Sequence, residues 1–256
     1  MTTFHDLGLP GDILATLDNI GFTTPTPIQE QAIPVALAGH DILGSAQTGT
    51  GKTAAFVLPM IKHLTENPAS TALILLPTRE LAQQVQDSCR LMLGRRAAIK
   101  SALLIGGAGM SAQLRELKQS PRVIIGTPGR INDHLVRRSL SLKDTDFLVL
   151  DETDRMLDMG FGIQLDQIVK FLPKERQTLM FSATLPANIL NLARKYQKAP
   201  VRIAIGTANQ AAANIRQELI KTSDTGKYGE LLKQIKELDG SMLIFVKTKY
   251  AAERLS

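Results

Sequence analysis

Short apolar runs recur along the chain at residues 42–43, 72–76, 102–105, 123–125, 147–150, 179–181 and 201–205, each bounded by Gly, Pro or Thr. They are too short for helices and are apolar at successive positions, the pattern of strands buried on both faces. Helix-like stretches lie between them, at residues 53–65, 80–93, 111–119 and 188–196. This alternation predicts an α/β fold, a parallel sheet with helices on both faces. No internal repeat or low-complexity tract interrupts it. A small, polar stretch at residues 206–214 marks a boundary. Residues 1–206 are therefore expected to form one domain, 207–214 a linker, and 215–256 the start of a second. The second is expected to hold strands at 215–220 and 242–246, a helix at 228–238, and another helix beginning near Tyr250. An open-sheet domain typically needs about 100 residues, so this last segment reads as a fragment.

Composition narrows the picture. With 44% hydrophobic and 21% charged residues the chain has a globular balance. One cysteine, Cys89, excludes an internal disulfide framework and the usual Cys and His metal clusters, and suits a reducing cytoplasm. The first residues lack the basic flank and apolar stretch of a secretory signal. No apolar run approaches the roughly 20 residues that span a bilayer, so no membrane partner and a cytoplasmic location are expected. The net charge is +6, yet the first 50 residues hold five acids and no Lys or Arg, so all 30 bases lie in the rest of the chain. A basic body of this kind favours a polyanionic partner, with an ordinary solvated surface as the plainer reading.

The chemistry is concentrated in a few strings. Ala46-Gln47-Thr48-Gly49-Thr50-Gly51-Lys52-Thr53 stands between a predicted strand and a predicted helix, and it resembles a Walker A phosphate loop with Ala46 in place of the first Gly. In such a loop the glycines let backbone N–H groups cradle phosphate, Lys52 reaches the β and γ phosphates, and Thr53 offers a hydroxyl to Mg²⁺. Its companion acid follows another predicted strand: Asp151 can hold Mg²⁺ through water, and Glu152 can orient or deprotonate the attacking water. Capping of the next helix is the simpler alternative for Asp151. Further polar clusters, Pro77 to Ala82, Gly106-Gly107, Thr127 to Arg130 and Ser182 to Thr184, each follow a predicted strand, so all converge on the carboxyl edge of the sheet.

Together these strings resemble the DEAD-box RNA helicases. Gly21-Phe22-Thr23-Thr24-Pro25-Thr26-Pro27-Ile28-Gln29 is similar to that family's Q motif, and the phosphate loop, the Pro77, Thr127 and Ser182 clusters match motifs I, Ia, Ib and III in order. Leu243 to Val246 resembles motif IV, and the wording from Asp151 to Phe161 is most similar to the bacterial branch called RhlE. The resemblance implies a RecA-like P-loop domain that takes ATP, Mg²⁺ and single-stranded RNA. ATP would be held by Gln47, Thr48, Gly49, Thr50, Gly51, Lys52 and Thr53. Gln29 would read the adenine edge, with Phe22 beside it and Phe4 stacked on the ring. Thr53 and Asp151 would hold the metal. Lys52, Asp151, Glu152, Asp154, Ser182 and Thr184 would form the catalytic set, Ser182 and Thr184 bonding to Asp154. Pro77, Arg79, Gly106, Gly107, Thr127, Gly129 and Arg130 would contact the RNA backbone, with little sequence preference.

By themselves several of these residues have plainer uses. Gln29 could be an exposed amide in a Pro-rich turn, Phe4 a hydrophobic staple, and Arg79 the partner of Glu80 or another acid. Thr127 to Gly129 could be a turn, and Ser182 and Thr184 caps for the next helix. The chain also departs from the family. Position 153 is Thr where the namesake motif has Ala, and Ala108 follows Gly107 where Thr is common. A hydroxyl at 153 adds volume at a packed junction and can bond to local backbone, with ATP binding expected to persist. Motifs V and VI would lie beyond Ser256, so this chain alone is expected to bind ATP, hydrolyse it poorly and not unwind RNA. Two other functions stay open at this point, a nucleotide-gated RNA clamp without catalysis and a DNA-directed P-loop enzyme.

Overall fold

The computed structural model describes residues 2–94, 99–205, 218–223 and 225–255, and divides the chain into Met1–Asn209 and Gln210–Ser256. The first unit opens with a 3-10 turn at Phe4–Leu7, then α1 (Gly11–Asn19), α2 (Pro27–Leu37), β1 (Ile42–Ser45), α3 (Lys52–Glu66), β2 (Thr71–Leu75) and α4 (Arg79–Leu93). It continues through β3 (Ser101–Leu104), α5 (Met110–Leu117), β4 (Val123–Gly126), α6 (Pro128–Val136), β5 (Thr145–Leu150), α7 (Thr153–Asp158) and α8 (Gly162–Val169). It closes with β6 (Gln177–Ser182), α9 (Ala187–Tyr196) and β7 (Val201–Ala204).

All seven strands pair in parallel, in the order β3-β4-β2-β5-β6-β1-β7. Each one coincides with an apolar run expected from the sequence. Burial explains why: β1, β2, β4, β5 and β6 are buried along nearly their whole length, with one core on each sheet face. One core packs Phe56, Phe147 and Phe181 with α2, α3 and α4; the other packs Leu148, Leu150, Met156 and Met180 with α6, α8 and α9. No helix among the described residues is long and apolar enough to cross a membrane.

Some elements differ from expectation. The Pro-rich segment around Gln29 begins a helix, because Pro27 sits at its first position, where a missing N–H costs nothing and φ is already helical. Gln29 also closes that end, its Oε1 accepting from the Thr26 N–H at 2.9 Å. In the second unit, α10 (Lys227–Glu237) and α11 (Lys249–Glu253) stand where helices are expected. The strand expected at 242–246 is not one: those residues find no ladder partner among the described residues, and Leu243 and Phe245 are exposed. Of the strand expected at 215–220, residues 215–217 lie outside the described residues, and 218–220 are not strand. The linker expected at 207–214 also lies outside the described residues.

Candidate functional site

Because every strand runs the same way, the segments leaving β1, β2, β4, β5 and β6 emerge on one edge of the sheet. The 46–53 loop leaves β1 there and turns into α3. Gly49 and Gly51 hold φ at +81° and +91°, which a residue with Cβ adopts only at a cost. At Gly51 space is also missing, since a Cβ would lie 2.4 Å from Gln29 Nε2. The backbone N–H groups of Thr48, Gly49 and Gly51 go to no protein acceptor among the described residues. That leaves a row of donors at a helix N-terminus, where an anion is favoured. Thr50 braces the loop through its hydroxyl, bonded to the Gln47 carbonyl at 2.7 Å.

Lys52 is buried. Its Nζ donates to the Ala46 carbonyl at 3.0 Å and lies 3.7 Å from Asp151 Oδ1. Burial pushes the Asp151 carboxyl above its ordinary value, against the opposing effects of the Lys52 ammonium and the Glu152 N–H. A buried carboxylate facing one ammonium gains from a second cation, and Asp151 and the Thr53 hydroxyl supply the hard oxygens that Mg²⁺ takes, so the donor set fits that ion. Glu152 adopts left-handed backbone, φ +53° and ψ +50°, as the N-cap of α7, and its carboxylate takes a bond from Arg155 Nη1 at 3.2 Å. Left-handed backbone at a bulky residue is held only by surrounding structure and clusters at functional sites.

Thr153 is fully buried, and its hydroxyl lies 3.0 Å from the Phe181 carbonyl and 3.3 Å from that of Leu150. It therefore ties the end of β5 to β6 and leaves Asp151 and Glu152 in place. Asp154 Oδ2 accepts from both the N–H and the hydroxyl of Thr184, each at 3.0 Å. The expected bond from Ser182 to Asp154 is not made. Ser182 ends β6 beside Ser45, and its hydroxyl is buried without a partner among the described residues.

Gln29 is buried beside the loop, and besides accepting from Thr26 it donates from Nε2 to the Gly51 carbonyl at 3.0 Å. An amide has two donors and two acceptor sites, so one of each is left for an adenine edge. Phe4 does not suit the stacking role expected of it: it is 2% exposed and packed into the core, 6.2 Å from the Phe22 ring. Phe22 is the half-exposed ring of the pair.

The remaining expected residues gather at a second place on the same edge. A cavity of about 480 Å³ is lined by Pro77, Arg79, Gly106, Thr127, Gly129 and Arg130. Gly107 lies against it under the Arg79 guanidinium, which a Cβ at that position would approach to 2.1 Å. Arg130 donates from Nη1 to the Ala108 carbonyl at 3.1 Å and faces Asp133 at 3.6 Å. Asp133, Met159 and Phe161 also line the cavity and were not expected there. Asp133 could have been found from its helical i, i+3 spacing to Arg130; nothing in the sequence alone marks the other two.

Residues 26–192 match the family described as DEAD/DEAH box helicase. The chain is 44% identical to the ATP-dependent rRNA helicase RRP3 of Yarrowia lipolytica over 99% of its own length and 53% of that protein. It is 42% identical to DEAD-box ATP-dependent RNA helicase 30 of Arabidopsis thaliana over 100% of its length and 45% of that protein. The chain thus spans about half the length of the curated relatives it matches. Among solved structures, a DEAD box protein from the hyperthermophile Methanococcus jannaschii superposes with a TM-score of 0.76 at 38% identity, covering 100% of this chain and 69% of that one.

Proposed function

The chain belongs to the DEAD/DEAH box helicase family, and from that premise we propose that it is the ATP- and RNA-binding core of an ATP-dependent RNA helicase, remodelling RNA when joined to a complete second domain. The observation that carries this is the shared edge: the buried Lys52 and Asp151 pair, 3.7 Å apart, and the cavity flanked by Arg79 and Arg130 both lie beyond the carboxyl ends of one sheet. The loop amides and Lys52 bind the triphosphate, Gln29 reads adenine with its unspent donor and acceptor, and Phe22 offers the ring face. Thr53 and Asp151 hold Mg²⁺, whose chemistry is to neutralise charge on the phosphates. Glu152, released from Arg155, orients the attacking water or accepts its proton. Arg79, Arg130 and the backbone of Gly106, Gly107, Thr127 and Gly129, beside Pro77, take successive phosphates of one RNA strand, a contact that carries no base information. Asp154 and Thr184 join the nucleotide side to the segment after β6. A cytoplasmic setting belongs to the same reading.

Salt-dependent binding tests it. A labelled single-stranded RNA should bind in the presence of a non-hydrolysable ATP analogue, with unlabelled DNA of the same sequence competing poorly. Arg79→Ala should weaken binding of all RNA sequences alike and reduce the log-log salt slope by about 0.7 to 1. Equal competition by DNA, or an unchanged slope, would count against it.

A further inference from the structure

Beneath the cavity lies a chain of buried polar side chains. His134 on α6 is fully buried; its Nε2 is 3.3 Å from Gln113 Oε1 on α5, and its Nδ1 is 2.8 Å from Ser139 Oγ. Gln113, also buried, donates through Nε2 to the carbonyls of Ile105 and Ala108 at 3.1 and 3.2 Å. The Ala108 carbonyl is the one that Arg130 Nη1 also reaches, at 3.1 Å. Gln113, with His134 behind it, thus holds the segment that carries Gly106 and Gly107, and Arg130, which lines the cavity, holds the same Ala108 carbonyl.

Hydrogen-bond logic fixes the ring. Gln113 spends both amide hydrogens on carbonyls, so Oε1 faces the imidazole as an acceptor and Nε2 must carry the proton. Nδ1 is then free to accept at 2.8 Å from the Ser139 hydroxyl, which shares its one hydrogen with the His134 carbonyl at 3.1 Å, and a neutral ring has a partner at each nitrogen. The ring is therefore a donor aimed at one specific acceptor. A space-filling residue could supply its volume, but not that bond.

We infer that His134 is a positioning residue for RNA binding: through Gln113 it holds the backbone from Ile105 to Ala108 at the height where Gly106, Gly107, Arg79 and Arg130 can meet one phosphate strand together. The closeness of Arg79 to that backbone makes the height matter, for a Cβ on Gly106 would already lie 3.2 Å from Arg79 Nη2. The inference rests on the RNA reading of this cavity proposed above. His134 follows β4, which β2, β5 and β6 separate from β1 and its loop, and its ring bonds only to Gln113 and Ser139 among the described residues, so the nucleotide should not feel its loss.

The test uses the 256-residue chain with a short labelled single-stranded RNA and, separately, a labelled ATP analogue. His134→Leu should weaken RNA binding about tenfold, the scale of removing one buried hydrogen bond, and leave analogue affinity within about twofold. His134→Gln can present an N–H to Gln113 Oε1 and should restore RNA affinity to within about threefold. Gln113→Met, which keeps the volume and removes the amide, should repeat the His134→Leu pattern and serves if that variant fails to fold. Wild-type RNA affinity in His134→Leu or Gln113→Met, or equal losses in the Leu and Gln variants, overturns the inference. Arg79→Ala separates the two readings. If it weakens RNA binding while His134→Leu does not, only the positioning role falls; if neither variant alters RNA binding, the RNA reading falls and takes the positioning role with it.

Discussion

Thr153, where the family's motif has Ala, is absorbed by the packing around it. Its hydroxyl is satisfied by two strand-end carbonyls and its bulk is fully enclosed, while Asp151, Glu152 and Asp154 keep their contacts. Thr153→Ala should therefore lower stability by about 1 kcal/mol, the value of one hydrogen bond and a little packing, and change ATP affinity by less than about twofold. Urea unfolding and analogue titration measure the two; a large gain in affinity would mean that Thr153 disturbs the site. His134 gives a second residue-scale expectation. Burial, helped by Arg130 and Arg137 and opposed by Asp133, holds its imidazole below the ordinary value. A depressed folded value means the contribution is complete above the unfolded pKa of about 6.5 and is lost as pH falls through the folded one. On moving from about pH 7 to about pH 5, the wild type should thus lose more stability than His134→Gln. Parallel loss in both would show that the ring does not titrate in the fold.

At the scale of elements, the phosphate loop rests on two glycines with different reasons to be glycine. Gly51 has both a left-handed backbone and a Gln29 amide where a Cβ would go; Gly49 has the backbone conformation with open space around it. Gly49→Ala should cost about 1 kcal/mol of stability and leave the loop's shape, whereas Gly51→Ala must push Gln29 away and should weaken ATP binding by about tenfold or more. Equal effects on ATP affinity would deny that Gln29 and the loop are packed as one unit. Much of this could be read from the sequence, because a strand buried on both faces is an unbroken apolar run, and each motif follows such a run. What could not be read depends on competition between partners. Phe4 is drawn into the core by neighbours distant in sequence, and Ser182 ends its strand beside Ser45 rather than facing Asp154. The 242–246 run has strand composition but no paired neighbour among the described residues, and a strand exists only through its ladder. Gln113 and His134 carried no signal at all, since a lone His on a helix face gains meaning only from what packs against it.

Across the whole molecule, the two proposed ligand sites share one sheet edge, and the charge is distributed accordingly. The first 50 residues, which carry Gln29 and most of the 46–53 loop, hold no Lys or Arg, so the proposed phosphate contacts are the loop's backbone amides and Lys52, the first base of the chain. The 30 bases that follow include Arg79 and Arg130, which line the cavity beside Gly106. The lone thiol, Cys89, is buried, and burial pushes it up to about 12, which disfavours the thiolate. The proposed function depends on Lys52 and Asp151 receiving a metal-bound triphosphate between them. The most direct measurement is a calorimetric titration of the wild type and of Lys52→Ala with ATP and with GTP, in the presence of Mg²⁺. The account predicts that the wild type binds ATP more tightly than GTP, that chelating Mg²⁺ weakens ATP binding, and that Lys52→Ala loses ATP affinity by about tenfold or more. Undiminished ATP affinity in a folded Lys52→Ala chain, or equal affinity of the wild type for both nucleotides, would contradict it.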